Sequence, residues 1–335
     1  MAERVGIIGA GSWGMAMARH LDRKGCHVTL WAYDPVEYRT LITTRGNAQR
    51  LPAMRLNDSV LISDDLPSAT AGCDWWLLAV PSQFLRSVLT RLPRNQRPRI
   101  GLVNLAKGIE TTTLMRMSEM IRRVLDCGPE SVATVSGPSH AEEVILDMPT
   151  TIVAAGISEP FVAKVQTLLS GSTFRAYTST DVIGVELGGS LKNVIALAAG
   201  IVDGLGFGDN TKGALITRGL AEITRLGLAM GARAETFAGL SGLGDLVATC
   251  TSRHSRNRSV GERIGREETL ASVLASMTMV AEGVETTRSA HALSQREGVE
   301  MPITNEVYRV LFDNKPPAEA VAHLMGRTLK AEVWQ

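Results

Sequence analysis

Close to its amino terminus the chain runs from a short apolar segment, Val5-Gly-Ile-Ile8, into Gly9-Ala-Gly-Ser-Trp-Gly14. It then takes up the helical pattern of Met15-Ala-Met-Ala-Arg-His-Leu21. An apolar strand that meets three glycines at this spacing and turns at once into a helix has few folds open to it. Gly9 permits the tight turn, Gly11 bares the backbone for close approach by a ligand, and Gly14 lets helix and strand pack together. The N–H groups at the start of the helix, aided by its dipole, attract an anion. In the order strand, G-x-G-x-x-G, helix, the spacing reads as a dinucleotide-binding turn.

The next segments continue the theme. His27–Trp31, Val60–Ile62, Trp75–Val80, Ile100–Val103, Val132–Val135 and Thr151–Ala155 are short and apolar, as buried strands are. Helical patterns begin at Pro81 and cover Leu114–Leu125. Such alternation predicts an α/β fold with a Rossmann-like, doubly wound and mostly parallel sheet. Beyond about Thr180 the strand signals stop, and Leu215–Met230, Glu282–Arg296 and Ile303–Phe312 show apolar residues three and four apart. A chain of 335 residues fits two domains. The polar run Thr178-Ser-Thr-Asp181 divides a dinucleotide-binding domain, 1–180, from an all-α C-terminal domain, 181–335.

Charge and composition remove several classes. Lysine and arginine number 35 against 34 acids, so no net field recruits nucleic acid. Cys26, Cys73, Cys127 and Cys250 form no Cys-x-x-Cys pair, which suits a reducing compartment. The six histidines make no metal-ligand cluster, so no metal is expected. The apolar run before Gly11 is too short for a signal peptide, and no uninterrupted apolar segment reaches the length of a membrane span. The expectation is a cytoplasmic enzyme or binding protein.

Five stretches carry chemistry. Tyr33-Asp34 follows the second strand, where an acid grips ribose hydroxyls; Asp34 is equally suited to cap the helix opening at Pro35. Lys107, in Asn104-Leu-Ala-Lys-Gly-Ile-Glu110, and Ser136-Gly-Pro-Ser139 stand at carboxyl ends of strands, the edge where open α/β sheets bind ligands. Lys107 is either an anion contact or a solvated loop lysine, and Ser136–Ser139 either a ligand site or a turn into a helix. Glu186-Leu-Gly-Gly-Ser-Leu-Lys-Asn193 sets a lysine, an amide and a carboxylate at the start of an apolar helix. Lys192 there is either a snorkelling structural lysine or an ammonium that must pair or lose its proton. Two glycine-rich turns, Gly204–Asn210 and Gly239–Asp245, precede Thr249-Cys-Thr-Ser-Arg-His-Ser-Arg-Asn257. This cationic, hydroxyl-rich cluster suits one phosphate group or a solvated turn.

Taken in order, Gly9–Gly14, Val80-Pro-Ser-Gln83, Ala106–Glu110, Ser136–Ser139, Glu186–Asn193, Gly239–Asp245, Thr249–Ser252, Ser255-Arg-Asn257 and Ala281-Glu-Gly-Val284 extend over nearly the whole chain. In that set the chain resembles the NAD(P)-dependent glycerol-3-phosphate dehydrogenases of bacterial type. The resemblance implies reversible, NADPH- or NADH-dependent reduction of dihydroxyacetone phosphate to sn-glycerol 3-phosphate, a backbone precursor of phospholipids, by a homodimer. It implies that Lys192 is the catalytic acid/base, with Lys107 and Asp245 beside it. Lys107, Gly137 and Ser139 would line the substrate site with Lys192, and Asp245, Ser255, Arg256 and Asn257 would close round glycerol phosphate, with Asn193 and Thr249 in support. Ser12, Trp13, Ala141, Arg256, Val280 and Glu282 would meet the cofactor, alongside Gly9, Gly11, Gly14 and Lys107.

Two positions depart from the family pattern. Tyr33 stands where arginine or histidine is common, and Arg50 where an aromatic residue is common. The exchange suggests that Arg50 supplies the charge for a 2′-phosphate that Tyr33 lacks. Rival readings are a β-hydroxyacid or 6-phosphogluconate type of dehydrogenase, which shares the lysine logic, a non-catalytic dinucleotide sensor, and a zinc polyol dehydrogenase.

Overall fold

Trp75-Trp-Leu-Leu78 has no exposed residue, as a strand covered on both faces must be. In a computed structural model, which describes residues 2–52, 54–329, 331 and 332, this segment is the fourth strand of one sheet. The strands are β1 (Arg4–Ile8), β2 (His27–Trp31), β3 (Leu61–Ser63), β4 (Trp75–Leu78), β5 (Gly101–Asn104), β6 (Val132–Ser136), β7 (Thr150–Ala155) and β8 (Phe174–Ser179). They lie in the order β3-β2-β1-β4-β5-β6-β7-β8, parallel except where β7 runs against β6. Ile8 pairs with Trp31 on one side and Leu78 on the other. The carboxyl ends of β1, β2 and β4 are therefore level, and the strand order reverses between β1 and β4, where such folds bind ligands.

Seven helices accompany the sheet: α1 (Ser12–Arg23), α2 (Pro35–Thr44), α3 (Leu66–Thr70), α4 (Ser82–Leu89), α5 (Met117–Leu125), α6 (Ala141–Val144) and α7 (Glu159–Leu169). Beyond β8 the described residues carry only helices and connecting turns: α8 (Val182–Gly204), α9 (Asp209–Ala229), α10 (Ala234–Ala238), α11 (Asp245–Thr251), α12 (Arg256–Gly265), α13 (Leu270–Ala275), α14 (Glu282–Glu297), α15 (Pro302–Phe312) and α16 (Pro317–Met325). The expected Rossmann-like sheet followed by an all-α half is what the chain forms.

The axis of the helical half is α8. Asp181 caps it by accepting from Gly184 N at 2.9 Å, and every residue from Gly184 to Val202 is buried. Helix α12 crosses it with backbones in contact. A methyl group on Gly200 would lie 1.9 Å from Arg258 O, and one on Gly261 would lie 2.0 Å from Leu197 O.

Some expectations shift. Helix α5 begins at Met117, not Leu114, because Leu114 takes a left-handed φ of 57° in a turn and Glu119 folds back to Arg116 N at 3.0 Å. Helix α9 begins six residues before Leu215, because none of those six residues is buried and they show no apolar period. β8 was not expected at all. Phe174 and Ala176 turn inward while Arg175 and Tyr177 face out, so a half-covered edge strand reads as part of the polar run that follows. Finally, α8 is long and apolar enough to cross a membrane by length and composition, yet 89% of that window is buried inside the protein.

Candidate active site

Asp245 opens α11 directly after Leu240–Gly244, a π-helical turn of a kind frequent at functional sites. Only 2% of Asp245 is exposed, and two lysines reach it from opposite halves of the molecule. Lys192 Nζ donates to Asp245 Oδ1 at 2.6 Å and to Thr249 Oγ1 at 2.6 Å. Lys107 Nζ donates to Asp245 Oδ2 at 2.6 Å and to Gly137 O at 2.9 Å. Gly137 N and Ser136 Oγ also point at Oδ2, each at 3.4 Å.

Local sequence explains the convergence. Lys107 leaves the carboxyl end of β5 on a loop pinned by Asn104, whose side chain donates to Thr134 Oγ1 at 2.9 Å and accepts from Ala106 N at 3.1 Å. Gly188 lets the π-helical turn sit against α8, since a methyl group there would lie 2.5 Å from Ser241 O. Gly189 does the same for Ser136 Oγ, at 2.2 Å. Glu186, from the same stretch, turns away from this group. It binds Arg116 Nη1 at 2.6 Å and accepts from Ser118 N at 2.7 Å, tying α8 to α5.

The electrostatics follow from burial. Burial lowers Lys192 to about 8, with Asp245 pulling upward and Lys107 pushing further down. For Asp245 burial acts upward, but the two lysines outweigh it and hold the carboxyl below its ordinary value. The result is an ammonium that loses its proton at a pH only a little above neutrality, beside a fixed anion.

Next to Lys192 opens a cavity of about 160 Å³ between the two halves. From the sheet side come Trp13, Lys107 and Ser139; from the helical side come Lys192, Asn193, Thr249, Ser255, Arg256, Asn257, Val280 and Glu282. Gly137 and Asp245 stand behind this wall, and Ala141 is buried at the start of α6. Asn257 braces three elements: Nδ2 donates to Asn193 Oδ1 and Oδ1 accepts from Gly283 N, both at 2.9 Å. Ser255 Oγ caps α12 by accepting from Arg258 N at 3.2 Å, and Arg256 Nη1 donates to Val280 O at 2.8 Å. Glu282 Oε1 accepts from Ser82 N at 2.9 Å, which joins α14 to α4 across the cleft.

The glycine turn fits a dinucleotide. Gly9 has a left-handed φ of 114° and Gly14 packs on it, a methyl group there falling 1.9 Å from Gly9 O. A methyl group on Gly11 would meet nothing within 4 Å, so that Cα faces open space. Helix α1 has no side-chain cap and no acid in its first turn, which leaves its start suited to a diphosphate. Ser12 Oγ donates to Arg50 O at 3.3 Å and lies 3.6 Å from Met279 Sδ, closing two loops over that start. Among the described residues no group of three or more His, Cys, Asp or Glu is placed to hold a metal.

At the far end the structure separates Tyr33 and Arg50 from the cavity. Tyr33 is 70% exposed, Arg50 Nε is 2.5 Å from Glu37 Oε1, and Asp34 caps α2 through Val36 N and Glu37 N. Three further residues line the cavity that no motif in the sequence marks: Leu105, His140 and His254. The histidines gave a signal only by position, next to Ser139 and inside the basic cluster; burial, then Lys192 and Lys107, lowers His140.

Comparison with known proteins gives concordant results. A model of the NAD-dependent glycerol-3-phosphate dehydrogenase N-terminus matches residues 4–161, and one of the C-terminus matches residues 181–322. The chain is 54% identical to a glycerol-3-phosphate dehydrogenase [NAD(P)+] of Geobacter sulfurreducens over 338 aligned residues, covering 100% of both. It is 49% identical to one from Salinibacter ruber, covering 100% of this chain and 97% of the other. A crystal structure of glycerol-3-phosphate dehydrogenase from Coxiella burnetii superposes with a TM-score of 0.93 at 37% identity, over 97% of this chain and 99% of that one.

Proposed function

The chain belongs to the NAD-dependent glycerol-3-phosphate dehydrogenase family, and from that premise we propose how its residues divide the work of reducing dihydroxyacetone phosphate to sn-glycerol 3-phosphate. The observation that carries the reading is a single buried carboxylate, Asp245, shared between Lys192 and Lys107. When bound, the nicotinamide dinucleotide supplies or accepts the hydride.

Residues 1–180 hold the cofactor, with its diphosphate over the start of α1 and Glu282 and Val280 reaching across from the helical half. The phosphate of the substrate takes the start of α12. There Arg256 keeps guanidinium N–H groups beyond the one spent on Val280 O, Asn257 keeps its second amide hydrogen, and Ser255 keeps its hydroxyl hydrogen. That anchoring sets the ketone beside Lys192. With its value near 8, Lys192 is largely protonated at neutral pH and donates to the carbonyl oxygen as negative charge develops there. In the oxidising direction the neutral amine takes the alcohol proton back. Asp245 orients both lysines, and Lys107 adds a second positive charge for the oxygen.

Lys192→Met tests the assignment. The expected result is a fall in kcat of about 100- to 10,000-fold, as for one acid/base group, with cofactor binding retained. A fall of less than about tenfold removes Lys192 from the chemistry. The homodimer and the cytoplasmic setting belong to the same proposal, the first resting on the resemblance and the second on the unpaired spacing of Cys26, Cys73, Cys127 and Cys250; sedimentation of the purified chain tests the first. The product feeds phospholipid synthesis by the same reasoning.

A further inference from the structure

The carboxyl ends of β2 and β3 carry a cluster for which the reaction itself has no use. Tyr33 follows β2 at the position where an α/β dinucleotide fold reads the adenosine ribose. Its ring stands edge-on to Trp31, with centroids 5.9 Å apart. The guanidinium of Arg91, from just past α4, lies 5.5 Å from the centroid of each ring. Trp31 is itself fixed, because its Nε1 donates to Asp64 O beyond β3 at 3.0 Å. Arg91 is thus held at the nucleotide edge of the sheet, exposed and stacked on two aromatic faces.

The other charges nearby are committed. Arg50, the cation that the sequence suggests, is 2.5 Å from Glu37 and so has its own counter-ion. Asp34 caps α2 and keeps a negative charge beside Tyr33. Asp65 caps α3 through Ser68 N at 2.9 Å; its carboxyl is lowered mainly by that cap and least by Arg91, which feels this acid without pairing with it. Among the described residues the Arg91 guanidinium has neither an ion pair nor a hydrogen bond, and stacking leaves its planar edge of N–H donors open. A phosphate dianion entering beside Asp34 needs an unpaired cation within reach, and such an edge offers two parallel bonds.

We propose that Arg91, stacked on Tyr33 and Trp31, receives the 2′-phosphate of NADP, so that Arg91 and not Arg50 sets how well this chain uses NADPH. The cluster takes adenosine 2′-phosphates as a class, and it rests on the dinucleotide reading of the Gly9 turn.

Calorimetric titration of the full-length chain with adenosine 2′,5′-bisphosphate and with AMP separates the two claims, using wild type, Arg91→Gln, Arg91→Lys and Arg50→Ala. In Arg91→Gln the ratio of the bisphosphate Kd to the AMP Kd rises about tenfold, the effect of one charge-assisted contact. The NADPH-to-NADH ratio of kcat/KM falls by the same factor, and Arg91→Lys recovers part of both. A Kd ratio that moves by less than about twofold in Arg91→Gln, or one that moves in Arg50→Ala instead, overturns the assignment. If wild type binds neither nucleotide and oxidises neither reduced cofactor, the dinucleotide reading itself fails.

Discussion

Lys192 donates to Asp245 at 2.6 Å inside the seam between sheet and helices, and Lys107 occupies the other oxygen of the same carboxylate at 2.6 Å. Two ammonium groups are thereby held close together around one anion. Asp245→Asn keeps the shape and removes the charge. Lys192 then loses its main upward influence and falls further below about 8, so that at neutral pH it no longer carries the proton that reduction requires. The expected outcome is a loss in reductive kcat of about 100-fold at neutral pH, with partial recovery as the pH is lowered. Steady-state rates across pH check it, and a loss independent of pH counts against the electrostatic role.

With Lys192 as the proposed acid/base, the two directions are expected to have opposite pH responses in the wild type. Reduction uses the ammonium form of Lys192, so kcat/KM for dihydroxyacetone phosphate declines as pH rises through about 8. Oxidation uses the neutral amine, so kcat/KM for glycerol 3-phosphate increases through the same value. Profiles that bend in the same sense for both directions exclude Lys192 as the shared group.

How much of this was legible before the structure depends on where the information sits. The glycine turn, the two lysines and Asp245 are carried by short local motifs, and the structure gathers Lys107, Lys192 and Asp245 within one hydrogen-bonded group. The burial that lowers Lys192 is not local. It arises because Gly188 and Gly189 admit a turn and a strand end from distant parts of the chain. Glu186 shows the converse: it shares one short stretch with Lys192 and Asn193, yet its partner Arg116 lies 70 residues away in sequence. β8 and the pairing of Arg50 with Glu37 were hidden for the same reason: an edge strand and an ion pair are decided by neighbours, not by the segment itself.

The crossing of α8 and α12 supplies a structural prediction. Gly200→Ala places a methyl group 1.9 Å from the carbonyl oxygen of Arg258, and backbone on a buried helix has little room to yield. The expected cost is about 1–3 kcal/mol of stability or more. Because α12 carries Arg256 and Asn257, KM for the triose phosphate rises as well. Thermal melts and steady-state kinetics on the variant check both, and an unaltered melting temperature refutes the close contact.

Glu222 offers a pH-dependent stability test away from the site. It accepts from Ile303 N at 2.5 Å and Thr304 N at 3.2 Å at the start of α15, and burial raises it from 4.5 to about 7. A value raised on folding means that the carboxyl's contribution is fully present below about 4.5 and is lost as pH rises through about 7, up to about 3 kcal/mol in all. Glu222→Gln keeps an acceptor that does not titrate. The melting temperature of wild type relative to this variant therefore decreases across that window, and a constant difference refutes the shift.

Helix α8, which carries Lys192, is walled in by α9, α11, α12 and α14 and has no exposed residue between Gly184 and Val202. Its side chains cannot change singly without disturbing several neighbours at once. Diversification of what such an architecture accepts is therefore confined to the rim, at the helix starts of Arg256 and Glu282 and the strand-end loops of Lys107 and Ser139. There a descendant sequence can acquire a different acid or alcohol while the amine at the centre stays where it is.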